Sequence, residues 1–188
     1  MSERLSLDQY FMNMAYLVSQ RSTCLRRQVG AVLVKDTRVL ATGYNGAPKG
    51  LKHCSEVGCM RMGRPNIELY AEEEIKEVKK LFAEYNTPIP SGYRHELCRG
   101  VHAEQNAIIQ SAVFGTSIKD TTIYSTTYPC VICAKMLINA SVVEIVYDGE
   151  YVDPLSKKLL DESKTKVRRF TDKIPEKLKP KETKLEVE

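Results

Sequence analysis

The feature that most limits what this chain can become is a pair of short clusters, His102-Ala103-Glu104 and Pro129-Cys130-Val131-Ile132-Cys133. Either alone says little. A histidine ahead of a helix is more often a cap or a packed ring than a ligand, and a lone C-x-x-C serves redox chemistry as readily as a metal. Together they supply one imidazole and two thiols. Three such donors leave a tetrahedral ion one position for water, the arrangement of a catalytic zinc and not a structural one. If Cys130 and Cys133 open a helix, its first turn presents both sulfurs on one side, where free N–H groups and the positive helix end favour thiolates. Pro129 holds the approach to that turn extended. His102 sits just ahead of a second helix, so two helix starts can converge on one ion. Glu104 lies close to such an ion without being needed as a ligand; read alone, it would be a first-turn carboxylate worth under about 1 kcal/mol against the helix dipole.

The remaining cysteines are Cys24, Cys54, Cys59 and Cys98. No apolar signal region follows Met1, so a cytoplasmic, reducing setting is expected, where six cysteines point to metal and not to disulfides. A 43% hydrophobic and 28% charged composition is that of a soluble globular protein. No stretch approaches the roughly 20 apolar residues that cross a bilayer. The net charge of +4 is mild and dispersed. It suits a small anionic substrate, whereas nucleic acid would call for a basic, aromatic-studded groove, and the chain has no Trp and no basic stripe.

Apolar spacing predicts a helix from Leu5 to Val18, then strands Val29–Val34 and Val39–Tyr44 joined by the polar turn Lys35-Asp36-Thr37-Arg38. Asn45 to Gly50 is a loop; its G-Y-N-G-A-P-K-G lacks the ending of a phosphate-binding P-loop. A charged amphipathic helix, Ile67–Tyr85, reads as an insertion spanning 66–86. Helices are expected at Ala103–Phe114, Val131–Asn139 and Asp153–Leu160, with strands at Thr121–Thr126, Val142–Tyr147 and an edge strand at Val167–Phe170. Strands alternating with helices after a hairpin imply an α/β fold, a three-layer α/β/α unit on a mixed, mostly parallel sheet. One domain over 1–170 is expected, followed by a charged, disordered tail, 171–188.

The order H-x-E…P-C-x-x-C is that of zinc deaminases acting on nucleobases. More narrowly, the chain resembles the deoxycytidylate deaminase family, bacterial competence-operon members included, over residues 5–152. The motifs are Arg21-Ser22-Thr23-Cys24, Val29-Gly30-Ala31, Thr42-Gly43-Tyr44-Asn45-Gly46, His102 to Ala107, and Pro129 to Cys133. The resemblance implies a cytidine deaminase-like fold and conversion of dCMP to dUMP and ammonia for thymidylate synthesis. Zinc on His102, Cys130 and Cys133 lowers its water's pKa toward about 7. Glu104 takes a proton from that water and passes it to ring N3 as hydroxide attacks C4, then protonates the leaving amine.

Carried over from the family, Asn45 binds the deoxyribose 3′-hydroxyl, Ser22, Arg26 and Tyr151 the phosphate, and Ala103 and Thr127 the cytosine through backbone groups. Some members hold a second, structural zinc. Cys24 and Cys54 match its positions, and Cys59 and Cys98 complete the set, with His95 or His53 as substitutes. Members are commonly hexamers switched on by dCTP and off by dTTP, which implies a homo-oligomer under allosteric control; the composition already argues against membrane and nucleic-acid partners. The competing readings are deamination of dCTP or of a base in RNA or single-stranded DNA, and a non-catalytic zinc protein linked to DNA uptake.

Overall fold

The computed structural model describes residues 4–62, 71–84, 92–149 and 151–180. Five strands form one sheet in the order β2-β1-β3-β4-β5: β1 Gly30–Lys35, β2 Arg38–Tyr44, β3 Thr122–Ser125, β4 Glu144–Tyr147 and β5 Lys166–Arg169. β1 is antiparallel to both its neighbours, while β3, β4 and β5 pair in parallel. Four strands therefore point one way and β1 alone points back, so the sheet is mixed and mostly parallel. The β1–β2 hairpin turns at Asp36 and Thr37, both at positive φ (49° and 61°), the geometry whose twist matches the flanking strands.

Helices cover both faces. α1 (Leu7–Ser19) opens on a reciprocal cap, in which Ser6 Oγ accepts the Gln9 N–H and Gln9 Oε1 accepts the Ser6 N–H. It lays Phe11, Met12 and Ala15 against Val32, Val34, Tyr124 and Val146. On the other face, α4 (Ala103–Val113), α5 (Val131–Asn139) and α6 (Pro154–Ser163) pack Ala103, Ala107, Leu137 and Leu160 onto Leu33, Ala41, Ile123 and Ile145. Full burial of each of these larger aliphatic side chains stabilises the fold by about 2 kcal/mol, an upper figure.

Two glycines set how closely the layers approach. A Cβ on Gly30 would lie 2.0 Å from the Ala15 carbonyl oxygen, and one on Gly43 would lie 2.1 Å from that of Ala103. Gly43 is thus the position at which the first turn of α4 rests directly on β2.

After the one-turn α2 (Cys54–Val57), the predicted insertion helix is present as α3 (Glu72–Glu84), packed near a second one-turn helix at Met60–Met62; positions 66–70 and 85–86 lie outside the described residues. The predicted disordered tail needs correcting over 171–180. Ile174 is buried and Leu178 packs beside it against α1, and Gln20 Nε2 donates to the carbonyls of Lys177 and Leu178. Two apolar residues suffice to dock a charged segment when a helix offers them a groove. Residues 181–188 lie outside the described set. Among the described residues no helix is long and apolar enough to cross a membrane.

Candidate active site

The two clusters meet beyond the carboxyl ends of β2 and β3, where open α/β sheets place their ligands. His102 is the N-cap of α4, and Cys130 is the N-cap of α5, with Cys133 in its first turn. His102 Nδ1 lies 3.3 Å from Cys130 Sγ and 3.4 Å from Cys133 Sγ. A tetrahedral zinc with S and N ligands at about 2.3 and 2.05 Å would set S···N near about 3.5 Å, so the donors fit that ion in type and both histidine–thiol spacings fit it in distance. Glu104, 3% exposed, is held by Ser125, whose Oγ donates to Oε1 at 3.1 Å; its Oε2 lies 3.6 Å from Cys133 Sγ.

The electrostatics agree with a metal-binding cluster. Cys133's hydrogen bond pulls the Cys130 thiol down to about 4, against the effect of burial and with help from His102. Cys133 is pushed up by the same hydrogen bond and by burial, so the pair shares one proton. Burial works to lower His102, but hydrogen bonds to Cys130 and Cys98 outweigh it and raise the ring to about 10. An imidazolium held by thiolate is the charge pattern a divalent cation replaces on binding, with release of the proton. Burial also pushes the Glu104 carboxyl up, opposed by the His102 charge.

The cluster forms one corner of a cavity of about 410 Å³. Asn45, Arg26, Tyr151, Ala103 and Thr127 all line it. Asn45 is clipped to the chain before β1: its Oδ1 accepts the Val29 N–H at 2.8 Å and its Nδ2 donates to the Arg27 carbonyl at 2.9 Å. This leaves the amide one further donor and one further lone pair. Arg26 Nη1 is buried with no hydrogen-bond partner among the described residues. Ser22 is placed differently from these five. It does not line the cavity; its buried hydroxyl donates to the Asn45 carbonyl at 2.7 Å and accepts the Cys24 N–H at 3.2 Å. Serine here positions the Asn45 loop, because its short side chain is consumed by adjacent backbone.

Cys24, Cys54, Cys59 and Cys98 line the same cavity and influence one another's charge. Cys59 Sγ accepts backbone hydrogen bonds from Arg61 and Met62, and Cys98 Sγ one from Gly100. Among the described residues, however, the donor groups that converge within 4.8 Å are His95–His102–Cys130 and His102–Glu104–Cys133, and the four cysteines are not such a group. His95, expected as a substitute in the second set, instead faces the first: its ring centre is 5.1 Å from that of His102, and neither ring nitrogen has a hydrogen-bond partner among the described residues. His53 is occupied elsewhere, with Nδ1 3.1 Å from Thr23 Oγ1.

Sequence reasoning missed two buttresses. Ser125 carries no motif signal. Asp153, 6% exposed, accepts the Ser156 N–H on Oδ1 (2.9 Å) as N-cap of α6 and the Val131 N–H on Oδ2 (3.2 Å), so one carboxylate holds the starts of α6 and of the cysteine helix.

A three-layer sheet bearing an imidazole, two thiols and a buried carboxylate beyond its strand ends defines the class of zinc-dependent nucleobase deaminases. A family model described as the cytidine and deoxycytidylate deaminase zinc-binding region matches residues 5–148. ComE operon protein 2 of Bacillus subtilis is 33% identical over 162 residues, spanning 86% of this chain and 69% of that protein. Deoxycytidylate deaminase of Schizosaccharomyces pombe is 32% identical over 168 residues, 89% of this chain and 45% of that one, so the chain spans about half that relative's length. The crystal structure of dCMP deaminase from the cyanophage S-TIM5 in complex with dCMP and dUMP superposes with a TM-score of 0.63 at 26% identity, covering 90% of this chain and all of that one. The chain belongs to the cytidine and deoxycytidylate deaminase family.

Proposed function

We propose that this chain hydrolyses dCMP to dUMP and ammonia, in the cytoplasm, through one deaminase domain over 1–170. The observation that carries the reading is the meeting of His102, Cys130 and Cys133 beside buried Glu104 at one corner of a cavity that Arg26 and Tyr151 also line. The relatives named deoxycytidylate deaminase, and the phage enzyme crystallised with dCMP and dUMP, support the substrate.

His102, Cys130 and Cys133 would hold the zinc. When bound, that ion supplies Lewis acidity that brings the pKa of water to about 7. Glu104, oriented by Ser125, accepts the proton released by the attacking water, delivers it to ring N3, and protonates the amine as it leaves C4. The Ala103 and Thr127 backbone groups orient the base, Asn45 takes the 3′-hydroxyl, and Arg26 with Tyr151 takes the phosphate, where a guanidinium fork suits two oxygens.

A second zinc on Cys24, Cys54, Cys59 and Cys98 belongs to the same reading. It is supported by Cys98, where burial works upward but the hydrogen bonds from His102 and the Gly100 N–H outweigh it and lower the thiol, while at Cys59 burial raises the thiol against its two backbone N–H donors. A homo-oligomer, a hexamer, under dCTP and dTTP control extends it, and the exposed apolar residues Ile109, Val113 and Phe114 toward the end of α4 suit an intersubunit face.

The test is ammonia release from dCMP, dCTP, cytidine and an RNA hairpin assayed in parallel, with zinc measured on the same samples. dCMP is expected to be preferred. Glu104→Gln is expected to retain zinc and lose about 100-fold or more of its turnover. Release from the RNA alone, or an active Glu104→Gln enzyme, would overturn the reading.

A further inference from the structure

His95 stands on the one-turn helix His95–Leu97, where the chain returns from α3 toward α4. Arg94 ahead of it takes left-handed backbone, φ 50° and ψ 49°. The turn leaves Arg94 and Glu96 exposed on either side and sends the imidazole into the cavity that holds the metal cluster. There both ring nitrogens are shut away from solvent, and neither has a hydrogen-bond partner among the described residues. The ring meets that of His102 edge to face, at 68° with centres 5.1 Å apart. A donor nitrogen of His95, one of His102 and the Cys130 sulfur all lie within 4.8 Å of one another.

Buried ring nitrogens without partners are costly, and in a folded protein such groups point to a ligand or ion that they meet. Cys130 is near enough to share an ion with His95, yet no hydrogen bond joins the two and consumes the nitrogen. His102, Cys130 and Cys133 supply three donors and leave one position free. Cys133 is fully buried and does not line the cavity, whereas His102 and Cys130 do, so the free position faces the cavity, the side from which His95 comes. A fourth donor of a type zinc accepts would close the site and give it structural character. We propose that His95 is an exchangeable fourth ligand of the same ion: it takes the open position in the nucleotide-free enzyme and gives it up when a nucleotide enters. The inference rests on the deaminase reading above and adds regulation to it. The exchange breaks one bond from nitrogen to the metal and leaves the position to solvent, with no electron transferred. It also gives the segment between Cys59 and Cys98 a task, because whatever shifts the His95 turn opens or shuts the site. The closed form retains the ion while the cavity is empty.

The experiment uses the full chain with Co(II) in place of zinc, as wild type, His95→Ala and His95→Asn, each with and without dUMP. Difference spectra in the visible d–d region cancel any metal on the four cysteines. Adding dUMP to the wild type is expected to shift the bands to longer wavelength, as an oxygen donor of weaker field replaces a nitrogen. Nucleotide-free His95→Ala is expected to show the shifted bands already, and dUMP to change them little. Chelator competition is expected to give about tenfold weaker zinc binding in nucleotide-free His95→Ala, the low end for a partner of a metal site, and the gap closes at saturating dUMP. By linkage, dUMP then binds that variant about tenfold more tightly than it binds the wild type. A His95 that contacts the nucleotide would instead weaken dUMP binding in the variant. A His95 that only supports Cys130 from outside would weaken zinc equally with and without dUMP. Either result overturns the proposal. If His95→Ala fails to fold, His95→Asn and the wild-type response decide, and wild-type bands that dUMP leaves unmoved overturn it. A wild type that releases no ammonia from dCMP overturns the deaminase reading and this inference with it. A wild type that turns dCMP over and shares its cobalt spectrum with both variants overturns the role of His95 alone.

Discussion

Ser125 Oγ donates a 3.1 Å hydrogen bond to Glu104 Oε1 at a place where both groups are shut away from solvent. The hydroxyl comes from the end of β3 and the carboxylate from the first turn of α4, so the sheet fixes the rotamer of the proposed proton carrier. Removing the hydroxyl leaves the carboxylate free to turn and short of one donor. Ser125→Ala is expected to lower kcat about tenfold, corresponding to about 1.4 kcal/mol, with zinc content retained. Steady-state kinetics with metal analysis checks this; a kcat equal to wild type would separate Ser125 from the chemistry.

Asp153 secures two helix starts at once through Val131 and Ser156. Losing a cap costs roughly 0.5–2 kcal/mol, and this carboxylate serves two ends. Asp153→Ala is expected to cost about 2–3 kcal/mol and to depress the melting temperature by about 6–9 °C. Because one of those ends carries Cys130 and Cys133, zinc affinity should fall as well. Thermal unfolding with a competing chelator reads both effects, and a variant that loses stability but binds zinc normally would show that α5 holds its first turn without Asp153.

The proposed four-cysteine site predicts about two zinc ions per chain by elemental analysis, and Cys59→Ser is expected to bring this to about one while sparing the His102 set. A wild-type value of one zinc would reject the second site.

Stability should carry an acid limb from the pair that ties α1 to β5. Arg168 binds both Asp8 oxygens and also reaches Glu144. The Arg168 hydrogen bond holds the Asp8 carboxyl below its ordinary value; in Glu144 burial works upward, but Lys166 and Arg168 more than offset it. Both folded-state values are therefore depressed. Their contribution is present above the ordinary carboxylate range and disappears as pH falls through the lowered values. With Asp8 and Arg168 a third exposed, the discounted effect is about 1 kcal/mol. Arg168→Met should melt about 3 °C below wild type near neutral pH, a gap that closes below about pH 4. A gap that stays constant across that range would assign the effect to packing.

The parts legible in the sequence were those whose signal is local. Hydrophobic period placed α1, the hairpin, α4 and α5, and donor spacing singled out His102, Cys130 and Cys133 before any contact was known. The parts missed act across the fold. Ser125 meets Glu104 from 21 positions away and Asp153 meets Val131 from 22, and neither pair has a spacing that repeats or a composition that stands out. Ser22's contacts are equally hidden from the sequence: where a hydroxyl points is decided by the backbone nearest to it, and here that backbone is Asn45's. His95 was read by its proximity to Cys98 along the chain, whereas its ring turns toward His102. The docked segment 171–180 was hidden by its charges, since composition averages away Ile174 and Leu178.

The bare hydrogen at Gly43 decides where this enzyme family member can be redesigned. With the Ala103 carbonyl 2.1 Å from where any side chain would begin, the depth of the metal corner is set by backbone lying on backbone, and no exchange of side chains can deepen or shift it without lifting a helix off the sheet. Substrate range must then be adjusted elsewhere in the lining, where Met60, Leu97 and Tyr151 also border the cavity and can be exchanged one at a time.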